Sequence, residues 1–191
     1  MATLVIPEHH RLRGKAERFI REVYDEEYGA QLCAFPRRLL VKIGLQGEIL
    51  CAAGLRTSAE GFFSERYLDT TVETALTGVR GRPVARERIF ETSTFASRSP
   101  RAVPLFIGQI IDWGETSGFE WSFFTITRRL STLLDRLGLD LAPLGRADPT
   151  RIENADSWGS YYEQEPRVFA VNRDCQIGSH AATRRQQAVN A

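Results

Sequence analysis

The sequence has few of the residues that usually build metal sites and disulfide frameworks. Its 191 residues include three cysteines, three histidines and one methionine. Cys33, Cys51 and Cys175 are odd in number and widely spaced, and no Cys-x-x-Cys pair or Cys/His cluster predicts zinc. We therefore expect no metal, and this cysteine usage is typical of the reducing cytoplasm.

The histidines lie near the two ends of the chain, at His9, His10 and His180. A Ser-His-Asp or Cys-His hydrolase needs an imidazole that a rigid scaffold holds against the nucleophile. Chain ends are where such order is least expected. The sequence therefore disfavours a lipase or protease mechanism.

Long hydrophobic runs are also missing. The apolar stretches at 49–55 and 103–111 fall well short of the roughly 20 residues that span a bilayer. The N-terminal residues include Glu8 and Arg11, where a secretory signal needs an apolar stretch. We expect neither a transmembrane segment nor an export signal.

Lysine is nearly absent: the chain has 23 arginines but only two lysines, Lys15 and Lys42. The net charge is only +1, so no global attraction favours nucleic acid or an anionic membrane as a partner. The arginine fork suits phosphate and carboxylate groups, although genomic base composition produces the same bias. Any basic binding site must be local.

Length and a hydrophobic content of 42% predict a single core. We assign 1–175 to one domain and the polar, Arg/Gln-rich 176–191 to a disordered tail. Periodicity predicts helices at 12–28, 62–76, 103–113 and 130–137, strands at 39–43, 48–56, 88–97, 119–127, 139–144 and 167–171, and a loop at 78–83. This order predicts a three-layer α/β/α domain of the α/β (α+β) class.

An ordered set of short segments resembles the thermostable hemolysin family. The matching segments are 24–30, 52–56 (AAGLR), 62–68 (FFSERYL), the Glu91 strand, 121–127, 136–139 (RLGL) and 158–162 (WGSYY). Members of that family are similar to acyltransferases of the acetyltransferase (GNAT) superfold and distantly similar to acyl-homoserine-lactone synthases. The resemblance implies a GNAT-like sandwich around a mixed, mostly antiparallel sheet.

The strand Glu91-Thr92-Ser93-Thr94-Phe95-Ala96 is similar to the Glu-x-Ser-Arg-Phe segment of the lactone synthases. Thr94 stands where those enzymes carry arginine, which disfavours a lactone-forming acceptor. A carboxylate in a central strand is costly unless it is paired or functional. We expect Glu91 to orient or deprotonate an amine that attacks an acyl thioester; the alternative is a salt bridge with a neighbouring arginine.

The resemblance also implies where the acyl carrier binds. In this superfold, the strand before the central helix separates from its neighbour and offers free backbone groups to a pantetheine arm. The residues expected at this acyl and pantetheine site are Ser93, Phe95, Ala96, Arg98, Ser99, Arg101, Trp121, Thr125 and Thr127. Ser99 is a candidate cap for the following helix.

The usual Gln/Arg-x-x-Gly-x-Gly/Ala phosphate loop of the superfold is missing from the sequence. This departure weakens the case for coenzyme A and leaves room for an acyl carrier protein. The expected co-substrate is acyl-CoA or the acyl-phosphopantetheine arm of such a carrier. The acidic surface of such a carrier would meet Arg98, Arg101, Arg128 and Arg129.

The segment FFSERYLD resembles an acidic acceptor-binding element of the same families. Glu65 and Asp69 are candidate acceptor-binding residues, although charged side chains on a helix usually just form its solvent-exposed face. Tyr67 is a candidate catalytic hydroxyl or a core tyrosine. Arg56, at the end of an apolar strand, is a candidate for an acceptor carboxylate or a surface ion pair.

These expectations together predict an N-acyltransferase that moves a fatty acyl group from a thioester carrier to the amine of a small acceptor, such as an amino acid. Three alternatives stay open. They are a membrane-active hemolysin acting through amphipathic helices, an acyl-homoserine-lactone-type signal synthase, and a GNAT-shaped binding module without turnover.

Overall fold

The computed structural model describes residues 1–173, so the tail predicted at 176–191 lies outside the described residues. One seven-stranded sheet carries the described part of the chain. Its strands are β1 (Ala2–Ile6), β2 (Arg38–Ile43), β3 (Ile49–Thr57), β4 (Ile89–Ser97), β5 (Trp121–Ile126), β6 (Ala142–Arg146) and β7 (Arg167–Asn172). The α-helices are α1 (Arg13–Tyr28), α2 (Val72–Arg80), α3 (Val103–Thr116) and α4 (Arg128–Arg136).

The strands lie in the order β1-β2-β3-β4-β5-β7-β6. Every neighbouring pair is antiparallel except β4 and β5, which are parallel. A parallel pair needs a crossover connection, and α3 supplies it between these two strands. The expectation of a mixed, mostly antiparallel sheet is confirmed.

Helices cover both faces of the sheet. On one face α1 buries Ala16, Phe19, Ile20 and Val23, at the spacing of three and four that the sequence predicted. The opposite face is covered by α3, which buries a stripe that includes Phe106, and by α4. The predicted three layers are therefore present.

The helix predicted at 62–76 is wrong as a continuous element. Ser64–Tyr67 forms a 3₁₀ turn, Leu68 is extended with ψ 153°, and α2 starts only at Val72. Glu65 explains the restart, because its Oε1 accepts a hydrogen bond of 2.8 Å from the otherwise free Val72 N–H. The loop predicted at 78–83 is also partly wrong, since α2 continues through Arg80.

The elements that the sequence did not predict include an edge strand and a long 3₁₀ segment. β1 is a short edge strand with most of its residues exposed, so its hydrophobic alternation is weak. The 3₁₀ segment Ala155–Gln164 is broken by Gly159, which has φ 53° and ψ −131°. This segment packs its aromatic residues against the C-terminal end of α1.

Gly159 is required by a close backbone approach. A Cβ at this position would lie 2.0 Å from the carbonyl oxygen of Tyr28. We expect Gly159→Ala to lower the free energy of unfolding by at least about 2 kcal/mol, because both the overlap and the positive φ oppose the methyl group. Urea denaturation measures the change.

Gly108→Ala is the matched control. Gly108 lies inside α3, and no atom lies within 4 Å of the place that an added methyl group would take. Replacing a helical glycine by alanine is expected to stabilise the protein by roughly 0.5–1 kcal/mol. Equal stability of the Gly159→Ala variant and wild type would contradict the packing described here.

Candidate functional site

A V-shaped cleft opens between β4 and β5. The two strands pair only from Ile89↔Trp121 to Glu91↔Phe123. Beyond that point β4 continues on β3 as far as Ser97, and β5 continues on β7 as far as Ile126. β4 thus stays paired with β3, and β5 with β7, but β4 and β5 no longer pair with each other. The backbone groups that face the cleft therefore have no partner strand.

A bulge in β4 marks the start of this separation. The register between β3 and β4 shifts between Ala52 and Gly54, and Thr94 has φ 45°. Positive φ is uncommon for a β-branched residue and points to local constraint. Gly54 makes room for the bulge, because a Cβ there would lie 2.8 Å from Ser93 Oγ.

The cleft encloses a cavity of about 110 Å³. Its mainly apolar wall includes residues of β4, β5, α3 and α4 and reaches Tyr24 and Tyr28 of α1. Five residues predicted at the acyl site line it, namely Ser93, Phe95, Trp121, Thr125 and Thr127. The buried Oγ of Ser93 and Oγ1 of Thr94 have no hydrogen-bond partner within residues 1–173, so the cavity presents unpaired hydroxyls.

Glu91 is completely buried beneath this cleft. Its Oε2 accepts a hydrogen bond of 2.7 Å from Phe63 N, and its Oε1 accepts bonds of 2.9 Å from Ser64 N and 2.7 Å from Ser64 Oγ. These donors satisfy the carboxylate and anchor the 3₁₀ turn above β4. Glu91 does not itself line the cavity.

Burial raises the pKa of Glu91, against the opposing effect of the Ser64 and Phe63 hydrogen bonds and of Arg56. Arg56 stands directly opposite Glu91 in the β3–β4 register. No salt bridge joins the two residues, so the alternative that Glu91 is simply ion-paired is not what this part of the chain shows. The buried Nε of Arg56 has no hydrogen-bond partner among the described residues.

A second hydroxyl connects Glu91 to the cavity. Thr125 Oγ1 donates a hydrogen bond of 2.8 Å to Ser64 Oγ, which in turn donates to Glu91. Side chains alternate between the faces of a strand, so Thr125 and the Phe123 paired with Glu91 lie on one face. The cavity wall and the buried carboxylate are therefore joined by two hydroxyls.

The acidic residues of FFSERYLD already have protein partners. Arg86 binds Glu65 through contacts of 2.5 and 2.7 Å, and these hydrogen bonds hold the pKa of Glu65 below its usual value. Asp69 contacts Arg151 at the surface. The buried Tyr67 hydroxyl lies 2.7 Å from that of Tyr162, and Tyr67 is not on the wall of the cavity.

The turn between β4 and α3 is largely occupied by its own contacts. Arg98 forms ion pairs with Glu22 and Glu26 of α1. Ser99 makes no side-chain cap, so that prediction is wrong; its N–H instead donates to Ser97 Oγ at 3.1 Å. Arg101 is exposed.

Backbone donors are scarce in the same turn. Arg98 N–H donates to Leu50 O at 3.2 Å, Ala102 N–H donates to Ser99 O at 2.9 Å, and two prolines, Pro100 and Pro104, have no N–H. Ala96, also predicted at the acyl site, packs in the core under α1. The turn thus lacks a cradle of free amides within its described contacts.

Several residues at the site were missed by sequence reasoning. Ser64 lies inside a segment that was singled out, but nothing in the sequence shows that its hydroxyl meets Glu91. Tyr28 reaches the cavity from the end of α1, which is distant along the chain from β4 and β5. Arg146 and Arg167 oppose each other across β6 and β7, and with Arg128 they line a polar groove of about 480 Å³ beside α4.

Two further features concern the described residues as a whole. Within residues 1–173 no three or more His, Cys, Asp or Glu side chains are grouped to hold a metal ion. No helix in that range has both the length and the hydrophobicity that crossing a bilayer requires.

The raised pKa of Glu91 predicts a pH dependence of stability. Folding favours the protonated form of this carboxyl. Its contribution to the free energy of unfolding is therefore complete below about pH 4.5 and is lost as the pH rises through the raised pKa. The free energy of unfolding of wild type relative to Glu91→Gln should therefore fall as the pH rises from 4.5. Urea titrations across this range measure it.

Glu153→Gln, which changes an exposed carboxyl, is the control for the loss of one charge. The Glu91→Gln variant itself should lose roughly 1–3 kcal/mol, because the amide NH₂ cannot accept from a backbone N–H. A difference that grows with pH would contradict burial as the dominant influence on Glu91.

Several solved structures share this fold. The acyl-homoserine lactone synthase LasI matches with a TM-score of 0.62 and 13% identity, over 94% of this chain and 95% of that chain. FeeM, an N-acyl amino acid synthase from uncultured soil microbes, matches with a TM-score of 0.61 and 12% identity, over 94% of this chain and 99% of that chain. BjaI, a CoA-dependent acyl-homoserine lactone synthase solved with SAM and isopentyl-CoA, matches with a TM-score of 0.57 and 11% identity, over 93% of this chain and 87% of that chain. The predicted GNAT-like fold is confirmed.

Sequence comparison gives the family. No curated protein sequence matches the chain significantly. The family described as thermostable hemolysin matches residues 6–176. Since this match covers most of the chain, the protein belongs to the thermostable hemolysin family.

Proposed function

We propose that the protein is a cytoplasmic N-acyltransferase, formed by one domain at 1–175, that moves an acyl group from a thioester carrier to the amine of a small acceptor. The observation that carries the proposal is the cleft between β4 and β5 with its mainly apolar cavity. Unpaired strand edges suit the amides of a pantetheine arm, and an apolar wall suits an acyl chain. The fold shared with acyl-transferring synthases agrees with this function.

Catalysis in such a cleft comes mainly from holding the amine and the thioester together. A backbone N–H of β4 near the bulge at Thr94 would donate to the oxyanion that develops on the thioester carbonyl. Glu91 handles the proton of the attacking amine. Phe95, Thr127 and Trp121 shape the wall beside the reacting atoms.

The carrier is acyl-CoA or the phosphopantetheine arm of an acyl carrier protein. Arg98 is ion-paired with α1, whereas Arg101, Arg128 and Arg129 are exposed and more available to an acidic carrier surface. Arg128 lies in the polar groove with Arg146 and Arg167, which are directly opposed like charges. Opposed like charges cost stability. Glu165 lines the same groove, and an anionic group bound there would add negative charge beside the three arginines.

The acceptor is a small amine, such as an amino acid. Arg56 supports this choice, because its buried Nε lacks a partner within residues 1–173 and a guanidinium suits a carboxylate. Glu65, Asp69 and Tyr67 remain proposed contributors to acceptor binding or to protonation of the leaving thiolate. Their present contacts with Arg86, Arg151 and Tyr162 would then help to position them.

Free-thiol release tests the function directly. Purified protein is given an acyl-CoA or an acyl carrier protein with pooled amino acids, and thiol release is followed together with mass spectrometry of the product. We expect thiol release that depends on the acceptor and an N-acylated acceptor as product. An acyl-homoserine lactone as the product would replace this proposal by the signal-synthase alternative.

The family description keeps a membrane-active protein as the second candidate. Dye leakage from liposomes, measured with the same preparation, separates the two. Thiol release without leakage supports the enzyme, whereas leakage without thiol release overturns it. If the protein shows neither thiol release nor leakage, a binding module without turnover is favoured.

The position of the acyl chain predicts a selective defect. Ile111 of α3 lines the cavity and is partly buried, so Ile111→Trp should fill space that an acyl chain occupies. Excluding two methylenes costs about 1.6 kcal/mol, so transfer of a long-chain group should fall at least about tenfold in kcat/KM while acetyl transfer changes little. Leu105→Trp is the control, because Leu105 is 57% exposed on the same helix. Equal losses for long and short donors would contradict this placement.

A further inference from the structure

The buried carboxylate poses a problem for the proposed reaction. Glu91 has no exposed surface and does not line the cavity in which an amine would meet a thioester. Its oxygens already accept three short hydrogen bonds from Phe63 and Ser64, and its complete burial leaves no approach for a substrate nitrogen. Direct contact between Glu91 and an amine would require the 3₁₀ turn to leave its position.

The hydroxyls of Ser64 and Thr125 provide a continuous path instead. Ser64 is 2% exposed, and its Oγ lies 2.7 Å from Glu91 Oε1 and 2.8 Å from Thr125 Oγ1. Both hydrogen bonds point toward the carboxylate, since Thr125 donates to Ser64 and Ser64 donates to Glu91. The lone pairs of Thr125 Oγ1 are thereby left to accept a further donor from the cavity.

We propose that Thr125 and Ser64 relay the proton of the attacking amine to Glu91. This inference rests on the proposed acyltransferase function and specifies how its buried base is reached. Thr125 is the member of the relay that touches the substrate nitrogen. Ser64 passes the proton on, and Glu91 receives it.

The step balances without another reactant. The neutral amine nitrogen forms a bond to the thioester carbonyl carbon and gives one proton to Thr125 Oγ1. Thr125 gives its own proton to Ser64 Oγ, and Ser64 gives its proton to Glu91 Oε1. Collapse of the adduct then breaks the C–S bond, and the proton returns along the same hydroxyls to the departing sulfur, which yields an amide and a free thiol.

The surroundings of Glu91 suit this role. Burial raises the pKa of Glu91, which brings its affinity for a proton closer to what a base at neutral pH requires. The other ionisable groups that affect it are Arg56, across the β3–β4 ladder, and Tyr67, whose own pKa is raised with Glu91 as one cause. The backbone donors at Phe63 and Ser64 hold the carboxylate in place while Oε1 exchanges the proton.

Substitutions of Thr125 test the relay most cleanly. Thr125→Val keeps the shape and removes the hydroxyl, so kcat for acyl transfer should fall about 100-fold with little change in KM. Thr125→Ser restores the hydroxyl and should recover activity to within a few fold of wild type. Thr132→Val, an exposed Thr-to-Val change on α4, is the matched control and should leave kcat unchanged.

The pH profile separates a proton relay from a packing effect. In wild type, kcat/KM should show a limb that rises with pH as Glu91 loses its proton, and Thr125→Val should lose that limb. Ser64→Ala and Glu91→Gln should show the same loss, with folding checked by circular dichroism.

Two results would overturn the relay while leaving acyl transfer intact. They are wild-type kcat and pH profile in Thr125→Val, and equal impairment of Thr125→Ser and Thr125→Val, which would show that the methyl group rather than the hydroxyl matters. If wild type released no thiol from any donor, the acyltransferase function itself would fail and the relay with it.

Discussion

The incomplete pairing of β4 with β5 is the constraint on which the rest of the site depends. The ladder between them ends at Glu91↔Phe123, yet each strand remains held by its outer neighbour. A gap between strands is costly when its backbone groups stay unpaired and buried. The two outer ladders, β3–β4 with its bulge and β5–β7, and the α3 crossover keep the gap open. The cavity is therefore built into the sheet and does not depend on a loop.

Glu91 ties this gap to the layer above it. The carboxylate sits at the last paired position of β4 and holds the backbone of Phe63 and Ser64, which belong to a different part of the chain. Ser64 then contacts Thr125 on β5, two residues beyond Phe123 at the end of the ladder. One buried carboxyl group therefore fixes the turn over the cleft and is joined through two hydroxyls to the cavity wall, and this combination explains why a central strand tolerates it.

The sequence predicted well those features that depend on local pattern. The stripe of α1, the β2–β3 hairpin and the strand carrying Glu91 have clear periods, and they appear at the expected places. Glu91 was identified because a carboxylate is unusual in a run that otherwise suits a central strand, and because the family resemblance includes this segment. The cavity residues Ser93, Thr125 and Thr127 followed from the family resemblance and from the superfold's known separation of strands.

Features that depend on contacts between distant segments were not available from the sequence. The helix predicted at 62–76 breaks because Glu65 has two partners, Arg86 and the Val72 N–H, that no local period reveals. Arg98 was assigned to the carrier, but α1 brings Glu22 and Glu26 against it. The hydroxyl path from Thr125 to Glu91 joins three segments and is visible only after folding.

The most direct measurement is a crystal structure of the protein with a non-hydrolysable acyl-pantetheine thioether. The account predicts density for the pantetheine arm between β4 and β5, with the acyl chain against α3 and the sulfur near Thr125. Binding of the thioether on another surface, with the cleft between β4 and β5 empty or closed, would contradict it.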